Sequence, residues 1–149
     1  MIPAALETQI TTENADRVRS KVVIEAANGP VTPEADDMLA QRGIPVVPDI
    51  LSASGGVVVS YFEWTQNLAN ERWTESEIQE RLKATMYAAT DAMVTGRAAI
   101  LDRLDFYRET WKEATGSDED LPRPTLRTAA HAVAVGRCRT ATDQRGIWP

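Results

Sequence analysis

Asn28 is a residue whose type and place could do chemistry. It stands in the turn AANGP (26–30), directly after the apolar run KVVIEA (21–26). In α/β proteins ligands bind at the carboxyl ends of strands. A carboxamide both donates and accepts hydrogen bonds, so it can orient a ribose or another carboxamide. Small residues beside it let backbone approach a flat ring closely. Asn28 also suits a left-handed turn, and the turn alone favours that plainer reading. A second stretch, SGGVVVS (54–60), sets two glycines before an apolar helical segment. Free N–H groups at such a start favour a carboxylate or phosphate oxygen. Val57 and Ser60 lie about one turn apart and share a helix face. Taken alone, that serine reads as a polar helix residue. Ala4 and Ala5, in PAAL, follow a strand end where bulk would obstruct a ligand. Ordinary strand-to-helix packing explains them as well, and unaided it is favoured.

Other chemistries are excluded early. His131 and Cys138 are the only residues of their types, too few for a structural zinc site. One cysteine forms no internal disulfide, which suits a cytoplasmic setting. His131 reads as a packing or part-exposed residue, and Cys138 as a small core or interface residue. Trp64, Trp73 and Trp148 read as packing or subunit contacts, and Glu63 as a partner in structural ion pairs. The charges of 102–120 read as a solvated helix face. A net charge of −6 argues against non-specific nucleic-acid binding. No apolar run reaches membrane-spanning length, and the N-terminus lacks the pattern of a signal peptide.

The elements that must position these residues change character along the chain. Residues 1–50 alternate strand and helix, the pattern of a parallel sheet. Residues 1–3 read as the end of a strand, 21–26 and 44–49 as strands, and TENADRVRS (12–20) as a short helix capped by Thr11 or Thr12. Thr32 caps the next helix, with Pro33 at its first position and Gly43 ending it. Gly56 to Arg72 is apolar-rich and continuous. Thr74 and Glu77 form a capping box before a helix whose apolar face is Ile78, Leu82, Met86, Ala89 and Met93. That pattern extends to Lys112. A loop follows at 114–125, then a last helix capped by Thr125 and stopped by Gly146.

Three segments together carry a family resemblance. IPAALETQIT (2–11), EAANGPVTPEAD (25–36) and PDILSASGGVVVSYFEWTQN (48–67) resemble the glutamate, leucine, phenylalanine and valine dehydrogenases. Tyr61-Phe62-Glu63-Trp64 favours the glutamate branch, as does the closing LRTAAHAVAVGRCRTATDQRGIWP. The resemblance covers nearly the whole chain, and 95–124 looks like an insertion. It implies an α/β fold: the second half of a Rossmann-like dinucleotide-binding domain at 1–52, followed by C-terminal helices at 53–149.

The resemblance also implies roles. Ala4, Ala5 and Asn28 would contact NAD or NADP, the choice between them being set by a segment outside this chain. Val57 and Ser60 would line the substrate pocket, Ser60 bonding the distal carboxylate of glutamate. The reaction would be oxidative deamination of glutamate to 2-oxoglutarate and ammonia. The family's lysine- and aspartate-bearing domain and its GxGxxG turn have no counterpart here. The chain is therefore expected to be a C-terminal portion, inactive alone and without catalytic residues of its own. The whole enzyme would be a homo-hexamer. The alternative is a regulatory or split subunit that joins a full-length or complementary N-terminal chain. Ala53 stands where the family has Asn, and Ser52 or Ser54 is expected to compensate.

Overall fold

The computed structural model describes residues 1–117, 121 and 123–146. Its first half rests on two short parallel strands, β1 (Val23–Ile24) and β2 (Val46–Val47), with Val23 opposite Val46 and Ile24 opposite Val47. Both predicted strands shrink to two ladder residues. Pro45 and Pro48 flank β2 and bring no N–H to extend the ladder. Residues 1–3 do follow β1: Ile24 N–H donates to Met1 O at 3.0 Å and Ala26 N–H to Pro3 O at 2.9 Å. Pro3 cannot return a bond, so the segment runs in strand-like register without completing a ladder.

Between the strands lies α1 (Pro33–Gln41). The Thr32 hydroxyl accepts from Ala35 N–H at 3.3 Å, as its cap position predicts. Ala35 and Leu39 are fully buried and pack with Val23, Val31 and Val46. Gly43, at φ +73°, ends the helix in the left-handed region. There Ile44 N–H reaches back to Leu39 O and Gly43 N–H to Ala40 O, a Schellman motif.

The helix expected at 12–20 is instead a single 3₁₀ turn, Ala15–Arg17. Asn14 Oδ1 accepts from Thr11 N–H at 3.0 Å, a local bond that competes with helix. The Arg42 guanidinium takes the carbonyls of Ala15 and Val18, leaving them unavailable for a longer helix.

The second half is helical: α2 (Asp49–Ser52), α3 (Ser54–Ala69), α4 (Glu75–Asp102), α5 (Leu104–Thr115) and α6 (Leu126–Arg145). The Thr74–Glu77 capping box is present, and its bonds from Thr74 hold the Glu77 carboxyl below its ordinary range. Thr125 caps α6 and Gly146 follows its end. The helix expected to reach Lys112 breaks at Arg103, whose guanidinium lies over the rings of Phe106 and Tyr107. Neither Gly nor Pro announces that break. Of the 114–125 loop, 118–120 and 122 lie outside the described residues, as does Trp148.

Leu51, Met93 and Ala129 form a second core, with Met86 and Ala89 packed against it. Ile78 and Leu82 are only half-buried. Cys138 is exposed and takes no part in the core. Among the described residues no helix is long and apolar enough to cross a membrane.

The α4–α6 crossing gives a first test. A Cβ on Gly96 would stand 3.0 Å from Val133 Cγ2, whereas one on Gly136 would meet nothing within 4 Å. Gly96→Leu should overpack the crossing and cost about 1–3 kcal/mol in urea unfolding. Gly136→Ala should stabilise by up to about 1 kcal/mol through helix propensity alone. Equal effects of the two would show that the crossing is not tight at Gly96.

Candidate functional site

The carboxyl ends of both strands open on one cleft of about 430 Å³, lined by Asn28, Asp49, Ile50, Ala53, Ser54 and Val57. The turn after β1 forms one wall, and α2 with the start of α3 forms the other. Ile50, Ala53 and Val57 make the second wall apolar. Asn28 is exposed, and its carboxamide makes no hydrogen bond among the described residues.

Beneath the cleft lies a charged network. Glu25, the last polar residue of the strand run, is fully buried. Its Oε1 accepts from an Arg127 guanidinium N–H at 2.6 Å and from Val31 N–H at 3.3 Å, and its Oε2 accepts from Asp49 N–H at 2.7 Å. Arg127 also donates to Asp36 Oδ2 at 3.3 Å and lies 3.5 Å from Asp49 Oδ1. The Thr125 hydroxyl donates to Asp36 Oδ2 at 3.1 Å. One guanidinium on α6 thus ties the residue that follows β1 to α1 and α2. Burial opposes its charge, but the Glu25 hydrogen bond and the three carboxylates outweigh that and raise its pKa. Burial pushes the Asp36 carboxyl up, and Arg127 and Thr125 only partly offset it.

Sequence reading missed this network. Its signal was present: a glutamate ending an otherwise apolar strand run must find a partner when buried. The partner lies 102 residues away, beyond any spacing rule.

The expected site residues divide. Asn28 and Val57 meet in the cleft. Ala4 and Ala5 are exposed and do not line it, though Pro3 O accepts from Ala26 and Ala27 N–H at 2.9 and 3.0 Å and sets the two turns side by side. Ser60 is exposed, one turn beyond Val57 and outside the lining. Gly55 and Gly56 are not a fresh helix start. Ala53, the single residue between α2 and α3, keeps right-handed helical backbone, so the chain is helical from Asp49. The Ser52 hydroxyl donates to Glu25 O and Pro48 O, and that of Ser54 to Leu51 O at 2.6 Å. Both donor protons are therefore engaged inside the fold.

Other expectations need correction or place elsewhere. Glu63 is exposed and forms no ion pair among the described residues. It lines the same surface depression as Arg72 without pairing to it. Trp64 is exposed, while Trp73 packs against Phe62 and under the Arg81 guanidinium. His131 is exposed, with Nδ1 3.0 Å from Arg127 O. Among the described residues no group of three or more His, Cys, Asp or Glu side chains could hold a metal.

The family model for Glutamate/Leucine/Phenylalanine/Valine dehydrogenase matches residues 1–146. The chain belongs to this family of oxidoreductases. It is 46% identical over its full length to an NADP-specific glutamate dehydrogenase A1 of Halobacterium salinarum, covering 31% of that protein. It is 38% identical over its full length to an NAD-specific glutamate dehydrogenase A of the same organism, covering 29%. Among solved structures, glutamate dehydrogenase from Peptoniphilus asaccharolyticus superimposes with a TM-score of 0.75 at 40% identity, over 99% of this chain and 32% of that one. The hetero-hexameric glutamate dehydrogenase of Thermus thermophilus, in its Leu-bound form, gives 0.76 at 32% identity, over 99% and 30%. The chain therefore spans about a third of the length of the relatives it matches.

Proposed function

We propose that this chain is the C-terminal portion of an NAD- or NADP-dependent glutamate dehydrogenase, supplying part of the nicotinamide site and one wall of the glutamate pocket. Residues 1–52 are then the second half of a Rossmann-like domain, and 53–149 are the helices that close it, with the stretch 95–124 as an insertion. The cleft at the strand ends carries the reading, because it joins Asn28 to Val57 across a gap open to a ligand.

The residues present fit a dinucleotide. Gly29 offers open space where a side chain would intrude. The apolar wall of Ile50, Ala53 and Val57 suits the face of a flat ring, and the unpartnered Asn28 carboxamide offers donor and acceptor. The bound nicotinamide supplies hydride acceptance. Asn28 orients that end of the cofactor, and Val57 excludes water from the amino acid's side-chain path. Ser60 holds the distal carboxylate. Proton transfers belong to the lysines and aspartate of the family's other domain.

A second reading has its own support. Val57, Tyr61, Trp64 and Leu68 make a continuous exposed apolar row along α3. Such a row marks an interaction surface. It suits a complementary N-terminal chain, or a dehydrogenase that this chain regulates.

The test is reconstitution with the preceding portion of the Halobacterium salinarum A1 enzyme. The isolated chain should not oxidise glutamate, nor bind NAD or NADP with a dissociation constant on the order of 1 μM. The joined or co-expressed pair should oxidise glutamate. A folded, inactive pair would sink the enzymatic reading; modulation of an intact dehydrogenase by the chain would then favour the second.

A further inference from the structure

We infer that Asp49 is a positioning residue, fixing the Asn28–Gly29 turn against the cleft so that the turn can receive a dinucleotide. The inference rests on the cofactor reading of that turn. Asp49 Oδ2 accepts from Gly29 N–H at 2.8 Å, across 20 residues of sequence. Its Oδ1 accepts from Ile50 N–H at 2.8 Å and lies 3.5 Å from the Arg127 guanidinium. Its own N–H donates to the buried Glu25 carboxylate at 2.7 Å. Asp49 is thus held from behind by two charged groups and holds the turn in front.

The turn needs such a hold. Gly29 is exposed and sits at φ +51°, a left-handed conformation that glycine adopts without strain but does not enforce. Its carbonyl is taken by Thr8 N–H at 2.9 Å. With its N–H taken by Asp49, the backbone is pinned on both sides, and the Asn28 carboxamide is left as the free polar group facing the cleft. Only a carboxylate serves here. Both of its oxygens accept, one for Gly29 and one for Ile50, whereas an Asn side chain would turn an NH₂ donor toward one of those N–H groups.

Asp49→Asn keeps the volume and removes one acceptor. In the unsubstituted chain the exposed Gly29 amide should exchange with solvent at least about tenfold more slowly than an unstructured one. In Asp49→Asn that protection should fall about tenfold, while Ala129 in the second core keeps its own. In the reconstituted dehydrogenase, Asp49→Asn should raise KM for NAD or NADP about tenfold and leave KM for glutamate within about twofold. A merely structural role would lower the active fraction without this split. An unprotected Gly29 amide in the unsubstituted chain, or unchanged protection in Asp49→Asn, would overturn the inference. So would faster exchange with an unaltered cofactor KM. If the unsubstituted reconstituted enzyme is itself inactive, the proposed function fails, and the exchange rates alone decide whether Asp49 holds the turn.

Discussion

Arg127→Met should destabilise the chain by about 3–5 kcal/mol, the cost of leaving a buried carboxylate without its partner. Glu25 and Asp36 are almost wholly buried, and Arg127 is the cation that reaches both. Methionine fills similar space and removes the charge, so the loss reports electrostatics rather than a cavity. The deficit should also depend on pH. The Asp36 carboxyl already titrates above its ordinary value because burial outweighs Arg127 and Thr125. A carboxyl with a raised folded pKa binds its proton more firmly in the native state. Its contribution therefore improves as pH falls from neutral through the folded value, and the gain is complete below the unfolded value, about 3.9. Removing Arg127 deletes two of the influences that lower this pKa and widens the window. Urea unfolding should thus show a large deficit at pH 7 that shrinks toward pH 5. A loss under about 1 kcal/mol at both pH values would mean that water, not Arg127, serves those carboxylates.

What sequence could show followed local rules. Thr32, Thr74 and Thr125 cap helices because a hydroxyl meets an N–H three residues on, a contact decided within one turn. Asn28 and Val57 line one cleft because the segments that carry them follow the two strand ends. Long-range partners escaped. Arg127 sits in the first turn of a helix, where it reads as an ordinary surface residue, yet it pairs with carboxylates on α1, on α2 and just after β1. Ser52 and Ser54 read as free to replace a missing amide, but Ser52 donates to Glu25 O, 27 residues away, and Ser54 back-bonds to Leu51 O within its own turn. The break at Arg103 has no glycine or proline to mark it, so helical periodicity ran straight through. Strand length was overestimated because apolar composition marks burial, whereas the ladder depends on N–H groups that the flanking prolines lack.

Ser60→Val should shift substrate choice in the reconstituted enzyme. Ser60 lies three residues after Val57 on α3, hence on nearly the same face and about one turn, or roughly 4.5 Å, further along. Its hydroxyl is exposed and has no hydrogen bond among the described residues, so it is available to a ligand that extends past Val57. A glutamate side chain entering beside Val57 would carry its charged distal carboxylate toward that hydroxyl. A carboxylate removed from water must be hydrogen-bonded. Loss of one bond to a charged group costs about 1.5–3 kcal/mol, roughly ten- to a hundredfold in kcat/KM. Valine replaces the hydroxymethyl side chain with an isopropyl group, which donates no hydrogen bond and costs an apolar substrate side chain nothing comparable. The ratio of kcat/KM for glutamate to that for norvaline should fall by that factor, with norvaline spared or improved. An unchanged ratio would make Ser60 a solvent-facing helix residue, consistent with its place outside the cleft lining, and would move recognition of the distal carboxylate to the family's other domain.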